Sequence, residues 1–306
     1  MFCPELEFTG TLILRIAGNS QIFPSIESFL FERGTAERTV RNRPLISNHT
    51  IQLIGMTRHI LIGCFVLICL SSLATAQTTA DNAKEAQRLT RVAQVAQQQG
   101  RNDDAIKAYE TIALVAKNSP QIAAAALLGA GNIYLTLGKF EQAATAFRRS
   151  LTLDSNSSEA QNNLGEALGE LKQYPRALEA FQQAVALDNG YVKARYNMGV
   201  TYDRLGQLKY AEFVYRILIR DHPDFALAYD GMAVTLSKSG RAREAIPFHE
   251  KAISLNPNDP SFYYNFAVSC LVLGDMKRAQ EQQQRLRQLD PAMADHLASV
   301  IVKHQK

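Results

Sequence analysis

The residue types that most often carry catalysis or bind metals are scattered in this sequence. His222, His249, His296 and His304 form no HExxH pattern, and none pairs with a cysteine at metal-ligand spacing. The phosphate-binding pattern GxxxxGK(S/T) and the nucleophile pattern GxSxG are also missing from the sequence. We therefore expect no catalytic residue, no metal site and no cofactor, and we interpret the chain as a non-enzyme.

One segment near the N-terminus has the layout of a secretory signal. In "MTRHILIGCFVLICLSSLATAQ", a short positive lead precedes an apolar run, and Ala74-Thr75-Ala76 offers small residues for cleavage before Gln77. This layout predicts a signal peptide over 56–76. An uncleaved anchor and a lipid on Cys64 remain as alternatives, although most of the apolar run follows Cys64, which is the reverse of a lipobox.

Residues 1–55 differ from everything that follows. They contain no lysine, and neither helical nor alternating periodicity is sustained in them. Five glutamates argue against a transit peptide. We interpret 1–55 as a non-native extension from a misassigned start, with translation beginning at Met56, and a poorly ordered extension is the alternative.

Composition excludes further classes of function. The segment after residue 76 has 230 residues, with 27 basic and 24 acidic side chains. Such a small positive excess, without a basic cluster interleaved with aromatics, predicts no nucleic-acid partner. Three of the four cysteines precede residue 77, and Cys270 stands alone among apolar neighbours, which is typical of a small core residue.

A 34-residue repeat organises the remaining chain. Two positions of the repeat carry small side chains in five successive copies. One position has glycine or alanine, and the other always has alanine. The first series is Gly131, Gly165, Gly199, Ala233 and Ala267, and the second is Ala143, Ala177, Ala211, Ala245 and Ala279. Small residues let two helices cross closely, and glycines at the expected turns suit a helix C-terminal cap that needs a positive φ.

The repeat predicts six helix–turn–helix units and a final helix. The units are 86–119, 124–157, 158–191, 192–225, 226–259 and 260–293, preceded by a short linker at 77–85 and followed by a capping helix at 294–306. In this phasing His249 takes a core aromatic position, so we expect a packed histidine. Arg195 replaces a large apolar residue, which leaves its packing unexplained.

These marks resemble the tetratricopeptide repeat (TPR) family. The resemblance implies an all-α fold, a right-handed superhelical solenoid whose inner wall is formed by the first helix of each unit. It also implies that inward positions bind a protein or peptide partner. The candidate peptide-binding residues at these positions are Asn163, Lys193, Tyr196, Asn197, Asp203, Asp230, Tyr264 and Asn265.

Asparagine at the sixth position of three units is the basis of this site prediction. An amide offers donors and an acceptor, so Asn163, Asn197 and Asn265 could hold a peptide backbone, with Gly231 interrupting the series. Solvation of a helix face is the alternative. Lys193 occupies one position of the carboxylate-binding TPR clamp, but Asn197 stands where that clamp has an arginine. The fifth positions supply no lysine, so we do not expect that type of site.

Two functions remain open from the sequence. The first is an interaction scaffold of a bacterial cell envelope, periplasmic or secreted, that takes part in a multiprotein assembly without tight membrane insertion after signal cleavage. The second is a cytoplasmic TPR scaffold or co-chaperone-like adaptor with an artefactual signal.

Overall fold

The computed structural model describes residues 48–304, and the predictions for 1–47 and 305–306 lie outside the described residues. Throughout the described range the regular elements are α-helices. They are α1 (Asn48–Gln98), α2 (Asn102–Val115), α3 (Pro120–Thr136), α4 (Phe140–Leu153), α5 (Ser158–Glu170), α6 (Tyr174–Leu187), α7 (Val192–Arg204), α8 (Leu208–Asp221), α9 (Ala226–Lys238), α10 (Ala242–Leu255), α11 (Pro260–Val272), α12 (Met276–Leu289) and α13 (Pro291–His304).

The chain divides into two compact units, Met1–Leu70 and Ser71–Lys306. In the first, residues 48–70 are helical. In the second, 77–85, expected as a short linker, is helical as well and belongs to α1. The segment 56–76 also lies within α1. Across the described part of the chain, no helix contains a stretch long and apolar enough to cross a membrane.

Helix pairs fill the second unit. The end of α1 packs on α2, where Leu89 and Ile112 share one apolar cluster. Five further pairs follow in chain order, from α3 with α4 to α11 with α12, and α13 closes the series. Leu297 and Ile301 of α13 are buried in the same cluster as Phe266 and Leu286. The predicted all-α solenoid with a C-terminal capping helix is confirmed.

The first helices of successive units form the inner wall of the solenoid. Direct contacts join α5 to α7, α7 to α9, and α9 to α11. No comparable contact joins successive second helices in the range that the structure describes. Elements on the inside of a curved stack lie closer together than those on the outside, so side chains that project from α5, α7, α9 and α11 line the concave face.

Small residues allow the helices of each pair to cross. A Cβ added to Gly131 would lie 2.4 Å from the Phe147 ring, and one added to Gly165 would lie 2.6 Å from the Phe181 ring. Both distances are shorter than any real carbon contact, so only glycine permits this packing. The repeat glycines therefore fix the spacing of the pairs, and the aromatic rings fill the space that they leave.

The turn between the two helices of a unit needs a left-handed backbone. Gly138, Gly206, Gly240 and Gly274 have φ of 69–81° there. Lys172 occupies the equivalent position between α5 and α6 with φ of 58°. A left-handed conformation costs an L-residue about 1–2 kcal/mol, so this turn is strained where the others are not.

Arg195 has a polar environment inside the solenoid. The residue is 8% exposed, and its guanidinium donates to the backbone carbonyl and to the Oδ1 of Asn189, the latter at 2.7 Å. The guanidinium also lies 3.4 Å from an Asp221 carboxylate oxygen. Buried charge is tolerated when it is paired and hydrogen-bonded. The arginine thus replaces an apolar contact by tying the turn after α6 to the end of α8.

Candidate peptide-binding groove

Two cavities lie on the inner wall and share Val200 and Arg204 as lining residues. The first cavity, about 720 Å³, lies against α5 and α7 and includes Glu166 and Lys193. The second, about 400 Å³, lies against α7, α9 and α11. Because they share these two residues, the two cavities lie next to each other along the stack, and together they are called the groove. We call them the first cavity and the second cavity.

The asparagines beside the first cavity bond to one another across the units. Asn163 Nδ2 donates to Asn132 Oδ1 at 2.7 Å, and Asn162 Nδ2 donates to Asn163 Oδ1 at 3.0 Å. Asn197 Nδ2 donates to Asn162 Oδ1 at 3.1 Å. This amide ladder links α3, α5 and α7.

Glu166 completes the ladder at its groove end. One of its carboxylate oxygens, Oε1, accepts from Asn162 Nδ2 at 2.8 Å and from Asn197 Nδ2 at 3.0 Å, and it lies 2.8 Å from Lys193 Nζ. The amide donors of Asn197 are therefore engaged, so its carbonyl oxygen is the part with capacity for a ligand. Asn163 is buried and does not line either cavity. These asparagines hold neighbouring units together.

Aliphatic and aromatic side chains give the second cavity an apolar wall. Val200, Val234 and Val268 occupy the same repeat position in three successive units and all line the cavity. Tyr196 comes from the first of these three units and Tyr264 from the third, and both line the same cavity. Such a surface suits aliphatic portions of a bound chain, because their burial removes apolar area from water.

The Tyr215 ring is enclosed by glycines of two units. A Cβ added to Gly199 would lie 2.8 Å from this ring, and one added to Gly231 would lie 2.5 Å from it. Burial raises the pKa of Tyr215 well above its ordinary value, and the nearby Tyr196, Asp203 and Asp230 raise it further. The hydroxyl therefore keeps its proton to a higher pH than that of an exposed tyrosine.

Tyr196 and Tyr264 are held in defined orientations. The Tyr196 ring meets Phe225 edge-on with centroids 5.7 Å apart, and burial raises the pKa of Tyr196 to about 12, with Asp230 and Asp259 adding to the effect. Tyr264 stacks on His296 of α13 at 5.7 Å, and its hydroxyl is hydrogen-bonded to His296 Nδ1 at 3.1 Å. The capping helix thus orients one wall of the second cavity.

Two carboxylates line the second cavity in different ways. Asp230 uses both oxygens internally, since Oδ2 accepts from Asn265 Nδ2 at 2.7 Å and Oδ1 lies 3.2 Å from His249 Nδ1. Asp203 pairs through Oδ2 with the ammonium of Lys238 in the next unit. Its Oδ1 is buried and has no hydrogen-bond partner among the described residues.

His249 continues the network behind the second cavity. Its Nε2 lies 2.8 Å from Ser269 Oγ, and Ser237 Oγ lies 2.7 Å from the same oxygen. The imidazole is fully buried and stacks on Phe266 with ring centroids 5.3 Å apart. The prediction of a packed histidine at 249 is confirmed, and burial of Cys270 confirms that residue as part of the core.

Asp230, His249 and Ser269 have the connectivity of a hydrolase triad without its surroundings. Ser269 is 2% exposed and lies within α11. Backbone N–H groups inside a helix are already hydrogen-bonded, so they cannot stabilise a developing oxyanion. The trio satisfies polar groups between units. Within residues 48–304, no three His, Cys, Asp or Glu side chains are arranged to hold a metal ion.

The structure thus places seven of the eight sequence-predicted site residues at one cavity or the other. Tyr196, Asp203, Asp230, Tyr264 and Asn265 all line the second cavity. Lys193 and Asn197 line the first cavity, whereas Asn163 lies behind its wall. Sequence reasoning missed the groove roles of Tyr215 and Lys238. The signal for Tyr215 was available, because it is a tyrosine where Phe147 and Phe181 stand in other units.

Family comparisons agree with this architecture. Models described as tetratricopeptide repeat match residues 91–158 and 128–192, residues 170–234, and residues 226–259. Together these matches span more than half of the chain. The chain belongs to the tetratricopeptide repeat family, whose members are protein-interaction scaffolds that bind protein or peptide partners. No curated protein matches the chain significantly.

Solved structures with the same fold include three informative examples. The crystal structure of MamA protein is 27% identical, with a TM-score of 0.52, and the match covers 57% of this chain and 94% of MamA. A tetratricopeptide repeat protein from Parabacteroides merdae is 19% identical, with a TM-score of 0.65, covering 72% and 87%. PilW, described as a type IV pilus biogenesis factor, is 23% identical, with a TM-score of 0.59, covering 71% and 98%.

Proposed function

We propose that this chain is an interaction scaffold that binds an extended segment of a partner protein along its concave groove, and that it is not an enzyme. The observation that carries the proposal is the groove made of two adjacent cavities, which share Val200 and Arg204 as lining residues. The second cavity has apolar and aromatic walls together with a few polar groups, a combination typical of ligand sites.

The polar groups of the groove favour recognition of a peptide backbone. Asn197 and Asn265 both line the groove, and each retains hydrogen-bonding capacity after its bonds to Glu166 and Asp230. The hydroxyl of Tyr196, whose pKa of about 12 keeps it protonated, adds a donor. Donors and acceptors beside an apolar row can hold main chain and side chains of one extended segment.

We further propose that the scaffold works in a bacterial cell envelope as part of a multiprotein assembly. Support comes from the segment 56–76, where a positive lead, an apolar run and Ala74-Thr75-Ala76 fit a cleaved signal. In this proposal the protein is periplasmic or secreted, and its partner is a protein and not a nucleic acid. An intracellular scaffold is the competing proposal.

Site-directed photo-crosslinking tests the groove. A benzoylphenylalanine at Val234 lies in the second cavity, and the same residue at Phe213 is the matched control on the exposed face of the second helix α8. In the native host, we expect a discrete adduct from position 234 whose partner peptide is identified by mass spectrometry. An adduct from position 213 alone would contradict groove binding.

Amino-terminal sequencing of the mature native protein tests the location. The export proposal expects a start at Gln77 and recovery in the periplasmic or secreted fraction. A mature protein that keeps 56–76 and fractionates with the cytoplasm would overturn export, while leaving the scaffold proposal intact.

A further inference from the structure

In the second cavity, one carboxylate has a partner within the fold for only one of its two oxygens. The Asp203 side chain is only 10% exposed, its Oδ2 pairs with the Lys238 ammonium, and its Oδ1 has no hydrogen-bond partner among the described residues. A buried polar atom without a partner costs about 1–3 kcal/mol, more when it is charged. A ligand donor that reaches this oxygen would therefore supply a hydrogen bond that the fold leaves unmade.

The existing ion pair shows which kind of group this carboxylate accepts. Lys238 reaches Asp203 from the next unit of the solenoid, and its side chain is 46% exposed. A salt bridge to an exposed lysine contributes little stability, because fixing the flexible side chain costs entropy and water weakens the attraction between the charges. A partner's cation can therefore displace the Lys238 ammonium into water at small cost.

A second carboxylate of the cavity has no lysine or arginine beside it. Asp230 lines the same cavity, and its two oxygens face an asparagine amide and an imidazole, not a lysine or arginine. Among the described residues, Lys238 is thus the one lysine or arginine that forms an ion pair with a carboxylate of the second cavity. Arg204 lies at the rim, where it is exposed.

The surrounding walls fit a long side chain that ends in a planar cation. Val200, Val234 and Val268 can contact an aliphatic stem, and Tyr196 offers an aromatic ring that attracts a cation. A guanidinium fork donates two parallel hydrogen bonds to a carboxylate, whereas an ammonium acts as a point charge. Only the fork would satisfy both oxygens of Asp203 at once.

We propose that the second cavity is a subsite for an arginine side chain of the partner segment, received by the Asp203 carboxylate in place of Lys238. This inference rests on the proposed peptide-binding function and names the side chain that the groove selects. Lys238 then acts as an internal competitor that occupies the carboxylate when no partner is bound.

The probes are three pentapeptides, acetyl-Ala-Val-Xaa-Val-Ala-amide, with arginine, lysine or citrulline at Xaa. Citrulline keeps the shape of arginine and removes its charge. Binding is measured by methyl NMR titration of the full chain, following valine signals. We expect the arginine peptide to bind about tenfold more tightly than the citrulline peptide, a difference of about 1.4 kcal/mol, with the lysine peptide between them.

Two substitutions should act in opposite directions on the arginine peptide. Asp203→Asn removes the receiving carboxylate and should abolish the preference for arginine over citrulline. Lys238→Met removes the competitor and should strengthen arginine binding severalfold. Asp224→Asn and Lys209→Met change the same charges at exposed positions away from the cavity and serve as matched controls. Thermal unfolding of every variant checks that the fold is retained.

The outcomes separate this subsite from the proposed function. Equal binding of arginine and citrulline peptides, or weaker arginine binding in Lys238→Met, would overturn the arginine subsite. In either case, a crosslink from position 234 would still support groove binding. A preference for arginine that survives Asp203→Asn would also overturn the proposal, because another group would then carry the recognition.

Discussion

Tyr215 and Gly231 form a complementary pair across two repeat units, since a Cβ at 231 would lie 2.5 Å from the Tyr215 ring. Phe147 and Phe181 stand at the position of Tyr215, and the next units carry Asn163 and Asn197 at the position of Gly231. Gly129, at that same position, likewise faces a tyrosine, since a Cβ there would lie 2.9 Å from the Tyr109 ring. The glycine that interrupts the asparagine series is thus the residue that makes room for a tyrosine. The same glycine lines the second cavity.

Substitution of Gly231 by alanine should therefore destabilise the array. The added methyl overlaps a ring that Gly199 already confines, and overpacking typically costs about 1–3 kcal/mol. Urea unfolding measures the change. Gly169→Ala is the matched control, because a Cβ there meets nothing within 4 Å and alanine should stabilise the helix by about 0.5–1 kcal/mol. Equal effects of both changes would refute the packing argument.

Lys172→Gly should stabilise the protein by about 0.5–1 kcal/mol. It relieves the left-handed strain at φ of 58°, partly offset by the greater freedom of glycine in the unfolded chain. The thermal midpoint reports the change. Lys172→Ala keeps the strain and should move the midpoint little, so stabilisation by alanine as large as by glycine would show that the backbone is not the cause.

Asn162→Ala should lower the free energy of unfolding by about 1–3 kcal/mol. The substitution removes the hydrogen-bond partner of the Asn163 and Asn197 amide groups in the interior of the helix stack. Chemical unfolding measures the loss, with the exposed Gln183→Ala as control. The sequence-based interpretation of Asn163 as a ligand-binding residue predicts instead that Asn163→Ala weakens partner binding without loss of stability. Measurement of both properties in both variants distinguishes a structural ladder from a binding ladder.

Alkaline pH should weaken the fold partly through Tyr196. Its pKa is about 12 in the folded protein and about 10 in an unfolded chain. The folded state therefore keeps this proton after the unfolded state has lost it, so the stabilisation is complete below about pH 10 and disappears as pH rises towards 12.

Comparison of urea unfolding at pH 9 and pH 11 checks the tyrosine contribution. Between pH 9 and pH 11, the free energy of unfolding of Tyr196→Phe should fall by about 1 kcal/mol less than that of the unmodified protein. Tyr210→Phe, at a position 61% exposed, is the control and should follow the unmodified protein. A Tyr196→Phe variant with the full alkaline loss would place the titrating group elsewhere.

The repeat pattern predicted the fold because the spacing of glycine, alanine and aromatic residues encodes packing within a unit. Gly165 against Phe181 is such a contact, and both residues are visible in the sequence at a fixed separation. The strained turn at Lys172 was within reach too, since the residue stands where other units have glycine. Local chemistry and period were sufficient for these features.

Contacts between units were harder to predict from the sequence. The amide of Asn163 meets Asn132, and the carboxylate of Asp203 meets Lys238, pairs separated by about one repeat with no periodic signature. A polar residue at an inward position is compatible with a ligand or with a neighbouring unit. Whether such a residue contacts a ligand or a neighbouring unit depends on distances that only the stacked helices define. For this reason Asn163 and Asp203 received the same prediction, although they lie in different environments.

Hydrogen–deuterium exchange on the full chain, with and without the partner segment identified by crosslinking, tests groove binding most directly. Our account predicts that the segment slows amide exchange in α7, α9 and α11, the first helices whose side chains line the second cavity. Protection confined to the second helices α8, α10 and α12, or unchanged exchange in α7, α9 and α11 at saturating segment, would contradict it.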